Sequence, residues 1–284
     1  MGSLNYLTMS EETDRKYCAA QVKLYDYDRY FAAVMGDEVV QRGLFALYAF
    51  NSELAMVKER VTEPLIGEMR FQWWRDTLDG IYGGSVRDHA VAVELAGAIE
   101  RFSLDRTSLE RMVNGRTLDL KDGPPNSLNE LEEYVMATAG EVMVNACMIC
   151  GDKLKRNTAL SLGKYWGFTG IIRSLQYDFR HRRVFFPNDL LRQHDLPPDG
   201  LLDSGQSEKV SHIIETLAKT FRLNSTISAY FEKPVRPAVS YLAVAGAYWR
   251  RLTTADFDPV KNGLKPSRIA TQMRILKAGL IGRV

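Results

Sequence analysis

One acid lies within a run of basic residues near position 180, and this pattern could bind a phosphorylated ligand. Asp178 stands among Arg173, Arg180, His181, Arg182 and Arg183. Guanidinium groups can form paired hydrogen bonds with phosphate oxygens. The same residues would also suit a solvated helix end, where cations interact favourably with the helix dipole and Asp178 forms a structural ion pair. The residues alone leave both interpretations open.

Other common catalytic patterns are absent from the sequence. Cys147 and Cys150 form a CxxC pair, but it lies in an apolar helical run with no second pair or nearby His. We therefore interpret both as core cysteines. The four histidines show no metal-ligand spacing, and there is neither a GxSxG motif nor a Walker phosphate loop.

The composition indicates which kinds of partner and which cellular compartment to expect. The 284 residues include 37 Lys and Arg against 35 Asp and Glu, so no overall field attracts nucleic acid. Three cysteines are an odd number, which favours a reducing compartment. No apolar stretch approaches the roughly 20 residues that span a bilayer, and residues 1–6 lack a secretory pattern. We expect a cytoplasmic protein, with peripheral contact at the inner membrane face as a further option.

Helical periodicity runs through the chain, without a convincing strand alternation. Using prolines as helix ends, we predict helices at about 12–34, 37–61, 64–82, 88–102, 107–120, 127–151, 155–178, 207–231, 234–252 and 266–281. Thr107 and Ser127 each begin a capping box with a Glu three residues later. Residues 1–11 are expected to be disordered and 183–206 to form a surface loop. The pattern indicates one all-α domain over 1–284.

Two helical faces have more than one interpretation. Gly163, Gly167 and Gly170 share roughly one face, which could allow close helix packing or leave room for a bulky apolar ligand. The segment 261–284 mixes basic and apolar residues and contains no acid, so we predict a basic amphipathic helix. Such a helix could rest on an anionic membrane surface or dock its apolar face onto the domain.

Five segments follow one another along nearly the whole chain: Arg42–Phe50, Phe71–Leu78, Gly115–Leu120, Tyr134–Gly140 and Arg182–Pro187. In order and spacing they resemble the squalene/phytoene synthase family. The resemblance implies the all-α isoprenoid synthase fold, a single-domain helical bundle around a central cavity.

For the site, the resemblance implies two acidic motifs that hold Mg²⁺ against the diphosphate of a prenyl substrate. Only Glu59 and Asp178 occupy positions where the family carries acids, whereas Ala55 and Met56 cannot ligate Mg²⁺. If the chain is active, Glu59 and Asp178 are the expected metal ligands. The resemblance further implies catalytic roles for Tyr134 and Asp178, and substrate binding by Tyr48, Asp119, Arg173, Arg180, Arg182 and Arg183.

A narrower resemblance is carried by Ala49–Lys58 and Ile66–Trp74. These segments look like the family branch that contains a mitochondrial complex I assembly factor. That likeness implies a diverged protein that binds an isoprenoid, another apolar lipid or a protein client in an assembly-type role. The alternative is a Mg²⁺-dependent prenyltransferase that condenses two farnesyl or geranylgeranyl diphosphates head to head. The sequence leaves open whether the chain is an enzyme or a pseudoenzyme.

Overall fold

The structure, a computed structural model, is helical throughout its main elements. It describes the backbone of residues 2–151, 154–201, 203, 205–221, 230–252, 258 and 267–284, with side chains from residue 12 onward. Within this part of the chain, β pairing is limited to one isolated bridge between Tyr230 and Arg283. The all-α prediction is confirmed.

Fifteen α-helices follow one another in the described residues. They are α1 (Gly2–Tyr25), α2 (Tyr27–Ala33), α3 (Glu38–Ala55), α4 (Val57–Arg60), α5 (Pro64–Tyr82), α6 (Ala90–Phe102), α7 (Arg106–Gly115), α8 (Leu128–Val135), α9 (Glu141–Ile149), α10 (Arg156–Arg180), α11 (Asn188–Gln193), α12 (Ser207–Phe221), α13 (Arg236–Val239), α14 (Leu242–Leu252) and α15 (Arg268–Ile281). A π-helical turn at Met136–Gly140 joins α8 to α9, and 3₁₀ turns occupy Arg116–Leu120, Pro198–Gly200 and Lys233–Val235.

Helix ends differ from the prediction where a side chain caps the backbone. Asp26 divides the predicted helix 12–34, because its carboxylate accepts a hydrogen bond from the Arg29 amide and begins α2. Asp105 caps α7 through the Ser108 amide, so the capping box expected at Thr107 is wrong. Ser127 caps α8 as predicted.

Two segments expected to lack regular structure contain helices. Helix α1 begins at Gly2 and includes residues 2–11, which were expected to be disordered. Extending a helix that is already formed fixes few further dihedral angles for each new hydrogen bond, which accounts for the longer element. The predicted loop 183–206 contains α11 and a 3₁₀ turn.

Helix α3 forms the centre of the bundle. Every residue from Gly43 to Ser52 is buried, and α3 contacts α1, α6 and α9 around its circumference. Such all-round burial requires apolar or small side chains on every face, as in the run Leu44–Phe50. The polar residues Asn51 and Ser52 follow where the helix reaches a cavity.

Glycines let α10 lie close to the π-helical turn. A Cβ added at Gly163 would clash with the Ala139 carbonyl oxygen and lie 2.6 Å from Gly140 Cα. A Cβ at Gly167 would lie 2.6 Å from Ala139 Cβ, whereas one at Gly170 would meet nothing within 4 Å. Gly170 lines the cavity. The packing and open-space interpretations therefore apply to different glycines of one face.

The remaining structural expectations concern the cysteines and the membrane. Cys147 and Cys150 are buried and form no disulfide, as predicted for core cysteines. In the described part of the chain, no helix has both the length and the apolar character needed to cross a membrane.

The different surroundings of Gly163 and Gly170 give a stability prediction. Gly163→Ala should lower the free energy of unfolding by about 1–3 kcal/mol, because the new methyl group meets backbone atoms that cannot rotate away. Gly170→Ala, seven residues along the same helix, should be neutral or add up to about 1 kcal/mol, because Ala is the better helix former. Urea unfolding measures both values. Equal stability of the two variants would contradict the assigned packing.

Candidate functional site

A cavity of about 470 Å³ opens where α2, α3, α8 and α10 meet. Its apolar wall is formed by Val135, Ala139, Trp166, Ile171 and Phe185. Its charged wall contains five cations and three acids, namely Arg29, Lys58, Arg116, Arg173, Arg183, Asp26, Asp119 and Asp178. The cavity therefore combines an apolar surface with a charged one, and two of its cations also pair with acids just outside the lining, Arg173 with Asp28 and Arg183 with Glu59.

Arg183 lies between the two acids that were predicted as metal ligands. Its Nη1 donates to Glu59 Oε1 at 2.5 Å, and its Nη2 lies 3.1 Å from Asp178 Oδ1. The second oxygen of each carboxylate also has a donor: Ser174 Oγ lies 2.5 Å from Asp178 Oδ2, and Tyr177 Oη lies 3.3 Å from Glu59 Oε2. Three of the four carboxylate oxygens therefore accept hydrogen bonds from protein groups, and the fourth, Asp178 Oδ1, lies in an ion pair.

The end of α10 places Arg183 at this position. The chain turns at Arg182, whose φ of 55° lies in the left-handed region. The Arg183 amide then donates to the Asp178 carbonyl oxygen at 2.8 Å. This turn directs the Arg183 side chain back along α10 toward Asp178, while Glu59 reaches it from α4.

Burial raises the pKa of the Asp178 carboxyl above its ordinary value. The Ser174 hydrogen bond and the Arg183 charge oppose this shift, while the charges of Glu59 and Asp119 add to it. The ionised form of Asp178 therefore depends on its donor and its cation. Arg183 is the cation whose charge favours the ionised form of Asp178.

Tyr134, Asp119 and Arg116 form a second polar cluster in the cavity wall. Tyr134 Oη donates to Asp119 Oδ1 at 2.7 Å, and Arg116 Nη1 donates to Tyr134 Oη at 3.0 Å. Burial, and next the Asp119 charge, raise the pKa of the Tyr134 hydroxyl well above its ordinary range. The hydroxyl is therefore a neutral hydrogen-bond donor at physiological pH. Two residues predicted for the site, Tyr134 and Asp119, are thus in contact.

The predicted basic residues separate into two groups. Arg173 lines the cavity, forms an ion pair with Asp28 at 2.9 Å and lies over the Trp166 ring. Arg183 also lines it. Arg180 is exposed and does not line the cavity, and Arg182 lines a neighbouring pocket of about 240 Å³.

Arg29 is a cavity residue that the sequence analysis missed. It is buried, pairs with Asp26 at 2.8 Å and lies between the rings of Tyr48 and Tyr241. Tyr48, predicted to bind substrate, is therefore packed behind Arg29 and does not line the cavity. The sequence signal for Arg29 was its position between Asp residues and tyrosines at the start of a helix.

The donor groups do not fit the multi-metal arrangement that the sequence resemblance implies. Ala55 and Met56 line the cavity and offer no oxygen ligand. Glu59 and Asp178 are already paired with Arg183. Across the described residues, no group of three or more His, Cys, Asp or Glu side chains could hold a metal ion.

Comparisons with known proteins agree with this architecture. The family model for squalene/phytoene synthase matches residues 22–274. Complex I assembly factor 6 of Bos taurus is 30% identical over 252 residues, which cover 87% of this chain and 75% of the relative. The Homo sapiens protein of the same name is 29% identical over 248 residues, covering 85% and 74%.

A solved dehydrosqualene synthase in complex with ligand has the same fold. It superposes with a TM-score of 0.76 at 18% identity, covering 95% of this chain and 96% of that structure. The bundle, the central cavity and the extent of the sequence match lead to one conclusion. The chain belongs to the squalene/phytoene synthase family.

Proposed function

We propose that this chain is a diverged family member that binds an amphipathic isoprenoid or lipid without condensing prenyl diphosphates, and that it serves respiratory complex I assembly. The observation that carries the proposal is the placement of Arg183 between Glu59 and Asp178. The similarity to complex I assembly factor 6 supports the assembly role.

The pairing of both expected metal ligands with Arg183 argues against metal-assisted ionisation of a diphosphate. That chemistry needs several carboxylates, because Mg²⁺ prefers oxygen ligands and must neutralise the leaving group. Here the Glu59–Arg183–Asp178 bridge engages both expected ligands. Binding a metal would require breaking this bridge and placing a divalent cation beside a guanidinium group.

The same cavity suits a ligand with an anionic head and an apolar tail. The Nε groups of Arg116 and Arg183 are buried, and each lacks a hydrogen-bond partner within the described part of the chain. Because these two atoms are closed off from the cavity, a ligand head group would contact other lining cations, such as Lys58 and Arg173. Trp166, Ile171 and Phe185 offer apolar surface for a tail. Binding of prenyl diphosphates is a property of the family, and this arrangement would accept such a head group without metal.

An active head-to-head prenyltransferase is the second candidate, and the Tyr134 cluster favours it. The hydroxyl is a neutral donor in the cavity, held by Asp119 and Arg116. Such a group could stabilise a diphosphate or a developing charge. The same hydrogen bonds also serve a binding protein, because they satisfy buried polar groups. The Tyr134 cluster therefore fits both candidates. They differ in whether their function depends on a metal ion.

Replacing Arg183 tests whether it takes the place of a metal. Arg183→Met should lower the free energy of unfolding in metal-free buffer by about 1–3 kcal/mol, because buried Asp178 loses a partner. The variant should then gain melting temperature on addition of Mg²⁺ or Mn²⁺, because two uncompensated carboxylates attract a divalent ion. Wild-type protein should not respond.

Arg182→Met is the matched control, since Arg182 neighbours Arg183 in sequence but contacts neither acid among the described residues. It should behave as wild type in both buffers. We propose that Arg183 takes the place of a metal ion. This would be contradicted if Mg²⁺ raised the melting temperature of wild type as much as that of the Arg183 variant.

The assembly role has a genetic test. Deleting the gene for this chain should reduce assembled complex I on native gels together with NADH dehydrogenase activity. Wild type and Glu59→Gln should both restore them, because a glutamine amide oxygen can still accept a hydrogen bond from Arg183 but replaces a carboxylate metal ligand poorly. Unchanged complex I after deletion would refute the assembly role. Failure of a normally folded Glu59→Gln protein would instead favour the metal-dependent enzyme.

A further inference from the structure

Helix α15 presents a continuous apolar stripe to solvent. Ile269, Met273, Leu276 and Leu280 are 72%, 60%, 37% and 71% exposed. Their spacing of four, three and four residues places them on one helix face. An exposed apolar stripe of this length on one element indicates a surface that another apolar phase covers.

The opposite face of α15 is already attached to the domain. Thr271, Ile275 and Ala278 are buried. Arg236 Nη1 donates to the Gly279 and Leu280 carbonyl oxygens at 3.1 and 2.7 Å. The helix therefore docks on the domain through one apolar face, as one interpretation of the sequence expected, and exposes a second apolar face.

Basic residues line the groove beside the stripe. Arg250, Arg274, Lys277 and Arg283 surround a cavity of about 540 Å³ whose lining contains no acid. Helix α15 itself has no acidic residue between positions 268 and 281. Arg274 and Lys277 also border the apolar surface formed by Met273, Leu276 and Leu280. Positive charge and apolar surface are thus adjacent on one face.

We propose that this face of α15 docks on an anionic lipid bilayer. The stripe enters the boundary between head groups and acyl chains, and the basic groove contacts lipid phosphates. The long basic side chains can keep their charged ends among the head groups while their stems remain apolar. This surface is separate from the central cavity, and it does not depend on what the cavity binds.

Charge complementarity selects a bilayer over a second copy of the chain. A second copy would present the same basic groove without an acid, so it offers no negative charge to compensate this one. An anionic bilayer offers an apolar phase to the stripe and negative charge to the basic groove. A helix attached along its inner face also needs little further ordering to bind, which lowers the entropic cost.

Vesicle sedimentation tests the proposal. Full-length protein should sediment with phosphatidylcholine vesicles that contain phosphatidylglycerol, and much less with phosphatidylcholine alone. The triple variant Ile269→Gln, Met273→Gln, Leu280→Gln should bind anionic vesicles at least about tenfold more weakly, because it removes the inserting groups. Arg274→Glu with Lys277→Glu should cause a similar loss through charge.

The matched control changes exposed apolar residues elsewhere. Leu65 and Met69 on α5 are 74% and 65% exposed, so Leu65→Gln with Met69→Gln removes comparable apolar surface. This control should bind as wild type, and circular dichroism should give the same helix content for all variants. Absence of wild-type binding to anionic vesicles would overturn the proposal and leave a protein partner as the occupant. The proposal would also be overturned if the triple variant bound anionic vesicles as well as wild type does. The same holds if the control variant lost as much binding as the triple variant.

Discussion

The site is organised by one ionic interaction, the contact of Arg183 with both Glu59 and Asp178. Asp178 is buried, so its carboxylate needs a counter-charge to remain ionised. A metal ion or a guanidinium group could supply that charge, and here the protein supplies it. The cavity is therefore charge-compensated before any ligand enters.

The bundle positions this contact through burial and close packing. Helix α3 is buried from Gly43 to Ser52 and fixes the start of α4, from which Glu59 extends. Gly163 and Gly167 bring α10 against the π-helical turn, and the end of α10 then carries Asp178 and Arg183 to the same point. The polar site is thus placed by apolar elements that have no chemical role of their own.

Much of the fold was predictable from the sequence, because helix periodicity and prolines are local signals. The Asp105 cap of α7 was missed, since Asp105 lies two residues before the apparent capping box at Thr107. The Glu59–Arg183 contact joins residues 124 positions apart, so no local pattern predicts it. The resemblance indicated which residues share the cavity, but not that Tyr48 lies behind Arg29 or that Arg180 stays outside. Those outcomes depend on packing between distant segments.

The central claim is that this chain binds an amphipathic ligand without transferring a prenyl group. Diphosphate release by purified protein, incubated with farnesyl or geranylgeranyl diphosphate and Mg²⁺, tests it most directly, with an active squalene synthase as positive control. We expect no release above the rate without protein, and no hydrocarbon product. Metal-dependent diphosphate release together with a squalene- or phytoene-like product would contradict it.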